Sequence, residues 1–178
     1  MKKLMIAMMM FAAMVLLAAC GGTKDKENDN NDASSNEGDN NSAEVEEVEE
    51  PGTVVVTHEL SDEPVEVAKN PETVVVFDFG ILDTLDELGV EVAGVPKKNI
   101  PSYLSQYEDE KYTNVGGLKE PDLETIHAMK PDVIFISGRQ SEMYKELSEI
   151  APTIYTSVDT TNYMESFKEN MNLVAEIF

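Results

Sequence analysis

Two stretches of nearly unbroken apolar residues stand out along the chain, at positions 74–79 and 133–137. Both are rich in β-branched residues, and neither alternates between apolar and polar positions. A strand that is covered on both faces has this composition, whereas a half-exposed strand alternates. The pattern therefore predicts two central strands of a parallel sheet that carries helices on both of its faces.

Helical periodicity follows the first of these runs. Four apolar residues recur there at helical spacing: Ile81, Leu82, Leu85 and Leu88. Gly89 comes directly after them and is the expected helix C-cap. Further helices are predicted over 121–130 and 141–150, and short strands over 90–95 and 153–156. Strands that alternate with helices in this way indicate a Rossmann-like α/β domain, with a parallel sheet and right-handed crossovers.

Two further elements flank this α/β pattern. Residues 53–58 and 65–67 enclose the polar segment 61–64, which predicts a hairpin leading into the domain. From Asn162 onward, apolar residues recur at helical spacing and predict a long amphipathic helix: Met164, Phe167, Met171, Val174 and Phe178. This helix either docks on the core or is the first part of a longer helix. We expect the second, because no Gly, Pro or basic last turn closes it.

The start of the chain has the layout of an export signal. Residues 1–19 comprise a basic beginning, an apolar run and a small-residue end. The apolar run is shorter than the roughly 20 residues that a transmembrane helix needs. The single cysteine, Cys20, follows directly, and positions 17–21 resemble the lipobox of bacterial lipoproteins, which implies a lipid on Cys20. The alternative is an ordinary secretory signal with a chance cysteine at its end.

The next segment, 20–52, is mostly Asn, Asp, Glu, Ser and Gly. It cannot bury enough apolar surface to offset the entropy of ordering it, so we expect a disordered linker. The linker is either a spacer that lifts a domain off the membrane or a solvated tail without a further task. The whole chain carries a formal net charge of −22. Nucleic acid is therefore a poor partner, because affinity for it comes mainly from neutralising phosphates.

Catalytic and metal-binding patterns are missing from the sequence. The two histidines, His58 and His127, are far apart and have no neighbouring Cys, His or paired carboxylates to complete a metal set. No Gly-x-Ser-x-Gly elbow occurs, and the glycines fit neither the phosphate loop nor the dinucleotide fingerprint. The sequence therefore supports neither an enzyme nor a resident cofactor.

Arg139 is the only arginine of the chain. It follows the second apolar run and Gly138, at the carboxyl end of a predicted strand, where parallel sheets bind their ligands. A guanidinium presents a rigid fork of donors to anionic oxygens and keeps its charge when buried. The alternative is an arginine that flanks a helix and pairs with Glu142 or with solvent. Position alone leaves both interpretations open.

Four phrases of the folded part together match one family. They are Val-Phe-Asp-Phe-Gly at 76–80, Leu-Lys-Glu-Pro-Asp at 118–122, Ser-Gly-Arg-Gln-Ser at 137–141 and Ile-Ala-Pro-Thr-Ile-Tyr at 150–155. Residues 53–178 resemble the substrate-binding lipoproteins of iron–siderophore ABC importers, in particular Gram-positive binders of catecholate siderophores of the petrobactin and enterobactin type. The resemblance implies two α/β lobes joined by one long helix, with the ferric siderophore in the cleft between them.

The resemblance also implies a domain organisation. Residues 1–19 are the lipoprotein signal peptide, 20–52 the lipid-anchored acidic linker, and 53–161 the N-terminal ligand-binding lobe. Residues 162–178 are the start of the inter-lobe helix, and the second lobe is absent. Because half a cleft leaves most of a ligand hydrated, we expect this single lobe to bind ligand weakly.

Particular residues acquire roles from the same resemblance. Arg139 matches the first-lobe arginine that faces the catecholate oxygens of the anionic complex, and Lys97 matches a lysine at the cleft rim. Glu124 matches a lobe-surface acid that docks on arginines of the permease, and Glu120 is the second candidate for that role. The implied function is a receptor, tethered by lipid to the extracytoplasmic face of the membrane, which delivers a ferric siderophore to an ABC permease.

Two other functions remain open from the sequence. One is a binder of another metal chelate, such as a hydroxamate siderophore, haem or cobalamin. The other is an acidic surface lipoprotein that serves as an adhesion or interaction module, with the α/β lobe as a scaffold only. An arginine at a strand end favours an anionic chelate over a neutral one.

The lipid anchor gives the first testable prediction. Replacing Cys20 by Ala removes the sulfur that would carry the lipid, so the protein should leave the membrane fraction and enter the medium. Thr23→Ala, three positions further on, is the control and should stay with the membranes. Cell fractionation and immunoblotting measure both variants, and a Cys20→Ala protein that still fractionates with membranes contradicts lipidation.

Overall fold

The computed structural model describes residues 52–178, so Cys20, the predicted export signal and most of the predicted linker lie outside the described residues. The strands are β1 (Thr53–Val56), β2 (Val65–Ala68), β3 (Val74–Val76), β4 (Gly94–Val95), β5 (Thr113–Asn114), β6 (Val133–Ile136) and β7 (Thr153–Tyr155). The α-helices are α1 (Phe79–Glu87), α2 (Leu123–Met129), α3 (Tyr144–Ser148) and α4 (Tyr163–Ile177), and 3₁₀ segments span Ser102–Glu108 and Gly138–Met143. No helix in this part of the chain has the length and apolar character needed to cross a membrane.

Five of the strands form a parallel sheet in the order β5-β4-β3-β6-β7. The chain moves outward from β3 to β4 and β5, then returns to place β6 against the other side of β3. Every residue of β3 and β6 is buried, and neither strand is at an edge. The predicted parallel α/β fold with these two runs at its centre is confirmed.

The two faces of the sheet pack into two separate apolar clusters. Val74, Val76 and Phe135 contact the cluster that contains the buried residues of α1 and α4. Val75 and Ile134 point the other way, into the cluster that contains the buried residues of α2 and α3. Adjacent residues of a strand face opposite sides of a sheet, so an unbroken apolar run is what two covered faces require.

The predicted hairpin is also confirmed. Strands β1 and β2 pair antiparallel, with Val54 opposite Val67, and form a two-stranded sheet of their own. Val54, Val56 and Val67 are buried in the cluster shared with α1 and α4, so the hairpin extends that side of the core.

Short polar caps set the ends of the first helix. The Asp78 carboxylate accepts hydrogen bonds from Gly80 N at 2.7 Å and Ile81 N at 3.0 Å, which begins α1 directly after β3. The predicted strand over 74–79 is therefore too long, because a capping aspartate ends it. Gly89 follows the helix with φ at 71°, a conformation that glycine adopts without strain, and this confirms the predicted C-terminal glycine.

Several predicted elements differ from the structure. Leu88 is 55% exposed, so the apolar stripe of α1 ends at Leu85. The predicted helix over 141–150 is instead the end of the 3₁₀ segment Gly138–Met143 followed by the short α3, Tyr144–Ser148. Strand β5 and the first 3₁₀ segment escaped prediction because they are short and irregular.

Helix α4 docks on the core through its second half. Val174 and Ile177 are buried, whereas Met164 is 60% exposed and Phe167 is 38% exposed. The first half of the predicted apolar stripe is exposed, because no element of residues 52–178 covers it. That α4 is the start of an inter-lobe helix stays a prediction.

Leu85 and Leu88 provide a matched test of this packing. Leu85→Ala removes a fully buried side chain, and the cavity should cost about 2–5 kcal/mol of unfolding free energy. Leu88→Ala removes an exposed side chain of the same helix and should change stability by less than about 0.5 kcal/mol. Urea denaturation followed by circular dichroism measures both, and equal losses would contradict the observed helix orientation.

Candidate functional site

A cavity of about 790 Å³ opens at the carboxyl ends of the sheet strands. Its lining residues lie at the end of β5 or after β3, β4, β5 and β6 in the chain: Phe79, Lys98, Asn99, Asn114, Gly116, Gly117, Leu118, Lys119, Glu120 and Arg139. The strand order reverses between β3 and β6, and open α/β sheets bind ligands outside the carboxyl ends at such a point. The cavity therefore lies where the fold favours a binding site.

Its charge is opposite to that of the chain. Lys98, Lys119 and Arg139 line the cavity, whereas Glu120 is the one acid among the lining residues, in a protein with a net charge of −22. A second cavity of about 680 Å³, between β1, the end of β7 and α4, has no Lys or Arg in its lining. The first cavity is thus the one whose charge suits an anion, because cationic donors form the stronger, charge-assisted hydrogen bonds to anionic oxygens.

A tight hairpin between β5 and α2 forms one wall. Asp122 N donates to Val115 O at 2.9 Å, and Gly117 N donates to Glu120 O at 2.9 Å. Glu120 N donates back to Gly117 O at 3.2 Å, which leaves Leu118 and Lys119 at the tip. The wall is therefore made of backbone that pairs with itself and presents the Lys119 position at the cavity.

Gly116 makes this hairpin possible. Its φ is +96°, in the region that residues with a Cβ rarely adopt. A Cβ built on Gly116 would lie 2.6 Å from both Glu120 O and Asp122 N, so the two arms could not approach as they do.

Arg139 lies in the 3₁₀ segment that begins directly after β6, and it is exposed at the cavity. The next residue, Gln140, is fully buried. Its Oε1 accepts a hydrogen bond from Ser137 N at 3.0 Å, and its Nε2 donates to Leu118 O at the hairpin tip. Sequence reasoning missed Gln140, because a glutamine within a polar phrase carries no indication that it is buried.

Lys97 is not among the residues that line the cavity. Its Nζ donates to the backbone oxygens of Asp109 at 2.7 Å and Glu108 at 3.3 Å, at the end of the first 3₁₀ segment. Free carbonyls at a helix end attract cations, which explains this placement. The adjacent Lys98 occupies the cavity position instead, so a ligand contact by Lys97 stays a prediction that the geometry does not favour.

The two candidate docking acids lie at different places. Glu124 is exposed in the first turn of α2, whereas Glu120 lines the cavity. Between them, Asp122 caps α2, and hydrogen bonds from Thr125 N and then from its hydroxyl lower the pKa of the Asp122 carboxyl. Contact of either glutamate with a permease stays a prediction.

Among residues 52–178, no cluster of three or more His, Cys, Asp or Glu residues could hold a metal ion.

Comparison with known proteins identifies the family. The family model for periplasmic binding proteins matches residues 74–178, which include the whole five-stranded sheet and the cavity. The chain belongs to the periplasmic binding protein family. This is a family of substrate-binding proteins, which agrees with the absence of a catalytic pattern in the sequence.

Relatives within the periplasmic binding protein family include siderophore binders. The petrobactin-binding protein YclQ of Bacillus subtilis is 55% identical over 127 residues, which cover 70% of this chain and 40% of the relative. The YclQ crystal structure superposes with a TM-score of 0.70 at 54% identity, covering 71% of this chain and 45% of that one. The catecholate-siderophore binding protein VctP of Vibrio cholerae gives a TM-score of 0.63 at 37% identity, with 71% and 46% covered. The chain thus spans less than half the length of these relatives.

The hairpin wall gives a matched pair of variants. Gly116→Ala must adopt a positive φ and meet two backbone atoms, so it should cost about 1–3 kcal/mol of unfolding free energy. Gly117→Ala, the adjacent position, should cost less than about 0.5 kcal/mol, since the nearest atom to its Cβ is 3.9 Å away. Thermal unfolding compares the two, and a tolerated Gly116→Ala would show that the hairpin does not need this conformation.

Proposed function

We propose that residues 53–161 form the ligand-binding lobe of an extracytoplasmic solute-binding lipoprotein, and that residues 162–178 begin its inter-lobe helix. In this proposal the protein captures a ferric siderophore of the catecholate class and delivers it to an ABC permease for iron uptake. The observation that carries the proposal is the basic cavity at the strand ends of a strongly acidic protein. YclQ is a petrobactin-binding protein and VctP is a catecholate-siderophore binding protein, which supports the same ligand class.

The chemistry of the ligand matches the lining of the cavity. Iron(III) held by three catecholates carries several negative charges, spread over oxygens at the surface of the complex. Arg139 donates to two such oxygens at once through its planar fork, while Lys98 and Lys119 act as point charges. Phe79 offers an aromatic ring to the catechol rings. The iron is cargo and stays bound to its siderophore, so capture is reversible and noncovalent.

In this proposal, a lipid anchor connects the lobe with the membrane and an acidic side chain connects it with the permease. The lipid on Cys20 holds the receptor near the membrane through the acidic linker. Glu124, exposed at the start of α2, supplies a carboxylate to arginines of the permease, and Glu120 is the second candidate. Both contacts use groups outside the core, so the lobe can bind and release its partners without unfolding.

Arg139 is the residue on which the test of this function depends. Arg139→Ala removes a charge-assisted contact worth about 1.5–3 kcal/mol, so affinity for a ferric catecholate should fall about 10- to 150-fold. Arg139→Lys keeps the charge but loses the fork, and its loss should be smaller. Tyrosine fluorescence quenching is the readout, because the chain has no tryptophan.

The controls separate charge, fold and ligand class. Lys168→Ala on α4 removes one positive charge from a residue that does not line the cavity and should leave affinity unchanged. A ferric hydroxamate, haem and cobalamin serve as competing ligands, and preference for one of them would replace the catecholate assignment. Equal affinity of wild type and Arg139→Ala removes Arg139 from the site, and a matching loss of thermal stability makes it structural.

A further inference from the structure

One hydrogen bond crosses from the end of β6 to the tip of the cavity hairpin. It runs from Gln140 Nε2 to Leu118 O, and the donor side chain is fully buried. The other end of the same amide accepts from Ser137 N, directly after β6. Gln140 therefore uses both polar ends of its side chain to connect two loops that are 22 positions apart.

The residues next to this bond are the basic ones. Arg139 precedes Gln140 in the chain, and Lys119 follows Leu118, so the bond joins the backbone that carries one cation to the backbone that carries the other. The remaining hydrogen bonds of the hairpin connect its two arms with each other or hold its base: Val115 N donates to Val95 O of β4, Gly116 N donates to Asn114 Oδ1 of β5, and Asp122 bonds to the first turn of α2. Within residues 52–178, the bond from Gln140 is thus the one that fixes the tip against the neighbouring strand.

We propose that Gln140 is a positioning residue, which sets the separation of Lys119 and Arg139 by locking the hairpin tip to the end of β6. The ligand consequence rests on the function proposed above. A wall that is already in place spares the ligand the cost of ordering it, so affinity depends on the lock. Because the Gln140 side chain is buried, breaking its hydrogen bonds leaves buried donors and acceptors unpaired. This cost favours the arrangement in which the hairpin tip is bonded to the end of β6.

The first experiment breaks the lock with Gln140→Met in the full chain. Methionine has a similar length but cannot donate to Leu118 O, so the hairpin should open more often. The amide hydrogens of Gly117 and Glu120, which form the cross-hairpin bonds, should exchange with solvent about tenfold faster by NMR. Affinity for a ferric catecholate should fall by about the same factor.

Ser141→Ala is the matched control. Ser141 Oγ donates to Gly138 O at 3.0 Å, so this variant loses a side-chain hydrogen bond of the same 3₁₀ segment without touching the hairpin. Its exchange rates at Gly117 and Glu120 should equal those of the wild type. If they rise as much as in Gln140→Met, the effect belongs to the 3₁₀ segment and the proposal is wrong.

A second variant makes the hydrogen-bond donor at position 140 depend on pH. Gln140→Glu has the same shape, but only its protonated carboxyl can donate to Leu118 O. Protection of Gly117 and Glu120, taken relative to the wild type at each pH, should therefore return as the pH falls through the raised pKa of this buried carboxyl. A ratio that stays constant with pH overturns the proposal. This variant also decides the matter if Gln140→Met does not fold.

A double-mutant cycle tests whether Gln140 acts through the cation at the tip. Once Lys119→Met has removed that charge, Gln140→Met should weaken ferric-catecholate binding much less than it does alone. Independent effects that simply multiply overturn the positioning role. A wild type that binds no ferric catecholate, even at concentrations high enough to detect the weak binding expected of a single lobe, refutes the proposed function. Unchanged exchange at Gly117 and Glu120 refutes the lock, so the two failures are distinguishable.

Discussion

The parallel pairing of β3 with β6 is the contact on which the rest of this lobe depends. Val74, Val75 and Val76 lie beside Val133, Ile134 and Phe135, and none of these six residues is exposed. Because both faces are apolar, helices must cover the sheet on both sides, and the chain has to leave and re-enter it through crossovers. The reversal of strand order at this pair then brings the loops after four strands to one cavity. Core packing and the location of the site thus have one cause.

The cavity is locally basic although the chain as a whole is strongly acidic. A chain with a net charge of −22 repels an anionic ligand at long range. Salt screens that repulsion beyond about 8 Å at physiological ionic strength, so the charges within the cavity dominate once a ligand is close. Clustering Lys98, Lys119 and Arg139 at the strand ends therefore matters more for an anion than the total charge does.

Sequence reasoning predicted the parts of the fold that hydrophobic burial determines. The apolar runs, the hairpin and Gly89 were recognisable because their residue types have few alternative uses. The capping role of Asp78 is not evident from the sequence, so the predicted strand continues past the true end of β3 at Val76. Leu88 has the spacing of a core residue, and only the position of the helix end shows that it faces solvent.

The site was less predictable, because it depends on where individual side chains point. Arg139 was recognised through its uniqueness and its place after an apolar strand. Lys97 and Lys98 are adjacent, and sequence alone cannot tell which of them faces the cavity. In the structure, Lys97 donates to two backbone carbonyls at the end of the first 3₁₀ segment, so Lys98 is the one that lines the cavity. The need for Gly116 and the burial of Gln140 arise from contacts between segments distant in the chain, which a local pattern does not contain.

In this lobe, the residues that carry the exposed charges of the cavity are different from the residues that fix its backbone. Lys98, Lys119 and Arg139 are exposed, so exchanging one of them alters the ligand contacts while the core remains intact. Gly116 and Gln140 fix the backbone that carries two of these charges, and changes there affect the wall as a unit. The fold of this lobe does not depend on which charges the rim presents, so exchanging rim residues can change the preferred ligand while the backbone of the wall stays in place.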